Sequence, residues 1–207
     1  LNELDALVNV DLEKRTVKAE HRSLDLIRIG TSGALHADVI PGQAVLTRIA
    51  GGLDGLFHFY RDAGNLNLKK LVRAFMEHTS WKKELAEPYF IEGSGHLHRR
   101  LSGPGIASGI TLSTPGFYAP QVRSIRLLPV DTDLVSKLGT FSFEGMQINN
   151  FEMESSALYA LSALLNHKAI TICVAIANRV TLEFLEDYHG AVDKLIVRIL
   201  DKLTEDD

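Results

Sequence analysis

The sequence predicts an α/β fold with a mixed, largely parallel central sheet flanked by helices, on three observations. Apolar runs of strand length recur at 24–30, 42–50, 105–113, 146–151 and 169–177. Several are apolar at nearly every position, which suits strands covered on both faces. Between and beyond them, apolar residues fall at helical spacing, so strands and helices alternate along the chain.

Taken in order, LNELDALV at the start places leucines and valine on one helical face. A polar segment, 9–23, leads into LDLIRIG (24–30), a strand closing on glycine, and GQAVLTRIA (42–50) is the next strand. Residues 51–64 are glycine-rich and loop-like, and Leu68, Leu71, Val72, Phe75 and Met76 predict an amphipathic helix over 66–77. Pro88, Pro104 and several glycines make 85–105 an extended excursion before GIASGITLS (105–113) resumes a strand. A short helix at 131–138 has Asp131 or Thr132 as its cap. MQINNF (146–151) is a strand and Ala157 to Leu165 a helix capped by Ser155; AITICVAIA (169–177) is a strand and 191–203 the closing helix. With no repeat, low-complexity tract or linker, residues 1–207 are expected to form one domain.

Composition narrows the function. Among 207 residues 45% are apolar and 23% charged, and the formal net charge is −4 with no basic stripe to collect phosphates, so a nucleic-acid partner is not expected. No stretch reaches the about 18–20 apolar residues of a membrane span, and no basic-then-apolar leader opens the chain. The one cysteine, Cys173, lies in an apolar run and reads as a small buried hydrophobe, which fits a reducing, cytoplasmic setting.

In α/β sheets ligands gather at the carboxyl ends of strands, and four such exits are unusual. The first is Arg28-Ile-Gly30-Thr31-Ser-Gly-Ala. A guanidinium fork followed by close backbone and two hydroxyls suits an oxyanion such as phosphate, although a sheet-edge arginine before an ordinary turn reads the same way. The second is TPGFYAPQVR (114–123), with Phe117, Gln121 and Arg123. If that loop is extended, Gln121 and Arg123 point the same way and complement the acceptor–donor–acceptor edge of a uracil ring; alone, they could equally be solvated. The third is NNFEMESSAL (149–158), where Glu152 and Glu154 flank Met153 just where a strand hands over to a helix. A cap at Ser155 would leave both carboxylates in the extended approach, able to clamp sugar hydroxyls or merely to favour the helix N-terminus. No histidine or aspartate stands beside them to complete a metal shell. The fourth is Asn178-Arg179, polar but unspecific. His96-Leu-His98-Arg-Arg reads as a solvated loop.

Together, RIGTSGA, the F-Y-x-x-Q-x-R loop and NFEMES, in this order, resemble the nucleoside phosphorylase family of the uridine phosphorylase type, over nearly the whole chain. The resemblance implies a mixed sheet flanked by helices, subunits paired as homodimers or assembled into hexamers, and phosphorolysis of a pyrimidine nucleoside, uridine foremost, to free base and ribose 1-phosphate. It implies inorganic phosphate as co-substrate and neither cofactor nor metal. By position it assigns phosphate to Arg28, Gly30 and Thr31, and the uracil edge to Gln121 and Arg123. Phe117 would pack near base and sugar, Glu154 bind ribose hydroxyls, Met153 form a wall beneath the sugar and Glu152 support it, with Asn178-Arg179 at the pyrimidine-type exit. It makes Arg28, Gln121 and Arg123 the catalytic residues. The family's glycine-rich phosphate loop and a further arginine have no counterpart before Leu1, so a longer natural chain is expected. Rival readings are a nucleoside hydrolase of the same superfamily and a non-catalytic nucleoside-binding subunit.

Overall fold

A computed structural model describes residues 1–61 and 63–205. The chain opens with α1 (Asn2–Asn9) and a hairpin of β1 (Val10–Asp11) and β2 (Thr16–Val17). Then come β3 (Asp25–Ala34), β4 (Ala44–Gly52), two short 3-10 turns and α2 (Lys69–Thr79). Next are β5 (Tyr89–Glu92), α3 (Gly95–Leu101), β6 (Ile106–Ser113) and a 3-10 turn at Ala119–Gln121. The chain continues through α4 (Leu134–Thr140), β7 (Ser142–Phe143), β8 (Met146–Glu152) and α5 (Ser155–Leu164), and ends with β9 (Lys168–Asn178) and α6 (Tyr188–Thr204).

The sheet is mixed, as the sequence predicts, and its two longest ladders, β3 with β9 and β4 with β6, are parallel. Its order is β3-β9-β4-β6-β8-β7, with β5 beside β4. A further antiparallel pairing of Gly33 with Phe151 and Ala34 with Asn150 joins β3 to β8, so β3, β9, β4, β6 and β8 close into a ring. Closure removes two edges that would otherwise be left unpaired. A buried chain of side-chain hydrogen bonds runs between strands of this ring: Thr47 to Thr111 at 2.7 Å, Thr111 to Asn150 at 2.7 Å, and Asn150 to Ser32 at 2.8 Å. Each buried hydroxyl and amide in it has a partner, as low-dielectric burial requires.

Two apolar layers cover the ring. One packs Leu46, Tyr89, Ile91, Ile170, Ile172 and Val174 against α3, α5 and α6. The other packs Ile110, Leu112, Ile148 and Phe151 against Phe75 of α2 and Leu138 of α4. Each fully buried Leu, Ile or Phe contributes about 1.5–3 kcal/mol. Tyr159 pins α5 to the sheet, its hydroxyl donating to the Thr47 carbonyl at 2.7 Å and accepting the Thr171 N–H at 2.9 Å.

The structure departs from the sequence reading in four places. Residues 85–105 are not an extended excursion: β5 pairs antiparallel with the end of β4, and α3 is capped by Ser94, whose side chain accepts the Leu97 N–H at 3.3 Å. His96 and His98 therefore sit on a helix, with His98 Nε2 2.8 Å from the Ser108 hydroxyl. The polar segment 9–23 carries the β1–β2 hairpin. Neither Asp131 nor Thr132 is the cap residue of α4, which follows Asp133; Asp131 instead accepts the Asp133 N–H and pairs with Lys137. The first strand does not stop at Gly30. β9 pairs with it in parallel as far as Ala34, through a bulge after Ser32, so Arg28 lies well inside β3. No helix among the described residues is long and apolar enough to cross a membrane.

Candidate active site

Arg28 meets the end of β8 because β3 and β8 run antiparallel. Its Nη1 lies 3.2 Å from Glu152 Oε2 and donates to Cys173 Sγ at 3.2 Å, while Nη2 pairs with Glu154 Oε2. Burial works against the charge on Arg28, but the Cys173 sulfur and the carboxylates of Glu152 and Glu154 outweigh it and raise the pKa. The guanidinium fits because Gly30 has no side chain; a Cβ there would lie 2.9 Å from Nη1. Thr31 pairs in register with Val174, is half-buried, and has no side-chain hydrogen bond among the described residues.

The two glutamates have separate fates. Glu152 is the last residue of β8, with a side chain only 2% exposed. It accepts the Ser113 hydroxyl, the Glu154 N–H at 2.9 Å and the Ser155 N–H at 3.0 Å. It therefore supplies the negative charge and acceptor oxygens that the start of α5 needs. Ser155 is not the cap: it is the first helical residue, and its hydroxyl is buried without a partner. Both glutamates precede the helix, but the extended approach ends at Glu152: Met153 and Glu154 form a bend, and Glu154, the residue before α5, has φ −132° and ψ −24°. Glu154 is 59% exposed and turns toward the open side of Arg28; Met153 between them is also exposed. Behind Glu152 a polar network continues, with the Ser156 N–H donating to Ser113 Oγ at 2.9 Å and the Ser156 hydroxyl to Asp54 at 2.9 Å. Tyr89 donates to the same Asp54 carboxylate at 3.0 Å.

The loop after β6 is not extended. A 3-10 turn brings in Gln121, and Val122 then takes a left-handed conformation, φ 57° and ψ 35°. Two side chains that extended geometry would have aligned are thus set by a sharp turn. Gln121 is buried, 5% exposed, with Nε2 donating to the Thr114 hydroxyl at 3.0 Å. Arg123 lies over the Phe117 ring, its Cζ 4.1 Å from the centroid, and its Nε is buried without a partner. Phe117 itself is 48% exposed.

Asn178 ends β9 and is structural. Its Nδ2 donates to the His36 and Val39 carbonyls at 2.9 Å and its Oδ1 accepts the Val180 and Thr181 N–H groups. This holds the chain so that Arg179 reaches the loop after β6, where Nη2 donates to the Gln121 carbonyl at 3.0 Å. Arg179 Nη1 is buried without a partner. Burial, then the charge of nearby Arg123, lowers the Arg179 pKa. Two guanidiniums, close enough for the charge of one to act on the other, thus keep N–H groups with no acceptor among the described residues, while Arg28 faces two carboxylates.

The model of the phosphorylase superfamily matches residues 8–203, nearly the whole chain. The protein belongs to that superfamily. A uridine phosphorylase from Thermococcus kodakarensis is 29% identical over 161 residues, covering 76% of this chain and 50% of the relative. The chain thus spans half the length of the curated relative it matches. A crystal structure of a nucleoside phosphorylase from Trypanosoma brucei that shows uridine phosphorylase activity superposes with a TM-score of 0.81 at 24% identity, over 98% of this chain and 74% of that one. That likeness shows that the ring and its helices are a phosphorylase-superfamily fold.

Of the residues the sequence singles out, the structure links Arg28 to both glutamates and Gly30, Arg123 to Phe117, and Arg179 to the Gln121 main chain, while Thr31, Met153 and Asn178 make no side-chain hydrogen bond to any of them among the described residues. Sequence reasoning misses Thr114, Ser113, Ser156 and Asp54. Only their place at the end of an apolar run, in the case of Ser113 and Thr114, draws attention to them.

Proposed function

We propose that this protein is a nucleoside phosphorylase that cleaves a pyrimidine nucleoside, uridine, with inorganic phosphate to give uracil and ribose 1-phosphate. One observation carries the reading: Arg123 Nε and Arg179 Nη1 are buried with no acceptor among the described residues, and Arg179 is held at the loop of Gln121 through that residue's main-chain carbonyl. An unpaired buried donor costs about 1–3 kcal/mol, so such a pair calls for a ligand edge rich in acceptors, as the carbonyl oxygens of uracil provide. Superfamily membership and the likeness to a uridine phosphorylase support the same substrate class.

In this proposal phosphate binds at Arg28, with Gly30 and Thr31 beside it. Glu154, exposed at the open side of Arg28, takes ribose hydroxyls, while Glu152 keeps Arg28 and the start of α5 in place. Met153 and Phe117, both exposed, offer apolar surface to sugar and base. A phosphate oxygen attacks the anomeric carbon as the bond to the base nitrogen breaks; the bonding pair leaves with uracil, which then takes a proton. The negative charge growing on the base is met by Arg123, Arg179 and Gln121, donors whose pull strengthens toward the transition state. No metal or cofactor takes part in this scheme. The proposal also makes the enzyme a homo-oligomer working in cytoplasmic pyrimidine salvage. The exposed apolar side chains of Ile125, Leu127, Leu128 and Val130 support an assembly.

The test is uracil release from uridine with and without phosphate. Release that requires phosphate supports phosphorolysis; equal release without it replaces the reading with hydrolysis, and no release refutes both.

A further inference from the structure

The side-chain amide of Gln121 can face a ligand in two ways, and its neighbour decides which. Thr114 is 1% exposed, at the start of the loop after β6. Its hydroxyl oxygen lies 3.1 Å from the Gly116 carbonyl and 3.5 Å from the Glu152 carbonyl. A hydroxyl has one hydrogen, and here both other neighbours are acceptors, so that hydrogen goes to a carbonyl. Toward Gln121, 3.0 Å away, the Thr114 oxygen can therefore only accept. That sets the NH2 end of the amide at Thr114, because the carbonyl end would compete with the Gly116 carbonyl for the single hydroxyl hydrogen. The carbonyl end, Oε1, takes no partner among the described residues and is turned away from Thr114.

We propose that Thr114 is a specificity-determining positioning residue: by accepting from Gln121 Nε2 it fixes Oε1 as an acceptor toward the nucleobase. The inference rests on the assignment of Gln121 to the base. A fixed acceptor selects a ring that presents an N–H, as uracil does at N3, over one that presents a lone pair there, as cytosine does. An amide free to turn over would satisfy either ring. The backbone makes the device rigid, because the Thr114 N–H donates to the Glu152 carbonyl at 3.1 Å and ties the loop to the end of β8. Thr114 thus joins Gln121, through its hydroxyl, to the end of β8 at Glu152, through its backbone N–H.

The experiment compares wild type, Thr114→Val and Thr114→Ser. It reads kcat/KM for uridine and cytidine, and calorimetric affinity for uracil and cytosine, with thermal unfolding as the check on folding. Thr114→Val keeps the shape and removes the acceptor; it should lose about tenfold or more of the uracil-over-cytosine preference. Thr114→Ser keeps the hydroxyl and should keep the preference. A Thr114→Val protein with wild-type preference overturns the proposal, as does an equal loss in Thr114→Ser. Wild-type protein that binds uracil without releasing it from uridine refutes the phosphorylase reading, and the binding ratio still tests the amide. Wild-type protein with no preference between the two bases overturns the proposal itself.

Discussion

Gly30 makes room for the guanidinium of Arg28, two residues before it on β3: a Cβ at Gly30 would stand 2.9 Å from Nη1 and 3.0 Å from Cζ. Because the clash is with the far end of a flexible side chain, Gly30→Ala should fold and push Arg28 away from Glu152. The expected outcome is a phosphate KM raised about tenfold, with the uridine KM changed much less. An unaltered phosphate KM would separate Arg28 from phosphate.

Glu152 and Glu154 should divide stability from activity. Glu152 is buried, accepts the Ser155 N–H at 3.0 Å and balances Arg28, so Glu152→Ala should cost about 3–5 kcal/mol in urea unfolding. Glu154 is exposed, and Glu154→Ala should cost at most about 1 kcal/mol. Its effect should fall on nucleoside turnover. Equal destabilisation by the two substitutions would mean that Glu154 is also a structural residue.

Arg123 has an aromatic face beneath it and a buried Nε with no acceptor among the described residues. Removing one donor aimed at developing charge typically costs about 10²–10³ in rate. Arg123→Ala should lower kcat/KM for uridine by that order while the melting temperature moves little. Near-normal turnover would remove Arg123 from the base site.

How far the sequence discloses this site depends on the range of each interaction. Arg28, Glu152 and Glu154 are legible because charge beside an apolar strand is costly and local pattern reveals it. Gln121 and Arg123 are legible as a pair, but their geometry is not. Alternation along an extended chain is the default, and the left-handed Val122 that replaces it comes from packing against Ala119 and Tyr118 backbone groups, which accept the Val122 and Arg123 N–H. The ring closure depends on Gly33 meeting Phe151, a pairing with no local signature. β5 and α3 are hidden behind Pro88 and Pro104, although the YFIE run and Ser94 before a helical turn are signals in hindsight. Ser113 acts on Glu152 and Ser156, dozens of positions away, and Thr114 reaches Gln121 across an irregular turn; periodicity carries no information about either.

Val122 is a β-branched residue at φ 57°, a conformation that costs about 1–2 kcal/mol. Val122→Gly relieves that strain and also removes a side chain packed on the second apolar layer, so net stability should stay within about 1 kcal/mol. The looser turn should raise the uridine KM several-fold. If KM is unchanged, the left-handed turn has no part in holding Gln121 and Arg123 together.

Alkaline pH offers a test of the buried hydroxyls and thiol. Burial, only partly offset by Arg28, pushes the Cys173 thiol up from 9.0 to about 12. Burial likewise raises Tyr89 and Tyr159 above their ordinary 10.0. In each case the folded pKa exceeds the unfolded one, so between them the folded chain holds protons that the unfolded chain has lost. The stability contribution is whole below pH 9 and falls as pH rises toward 12, with each group adding up to about 1.4 kcal/mol per pH unit. Urea unfolding between pH 8 and pH 10.5 should show the decline beginning near pH 9, where the thiol leads the tyrosines. Cys173→Ala removes the first titration and should delay the onset toward pH 10. An onset that does not move would mean that the thiol ionises alike in both states, and that its contact with Arg28 favours the thiolate as strongly as burial opposes it.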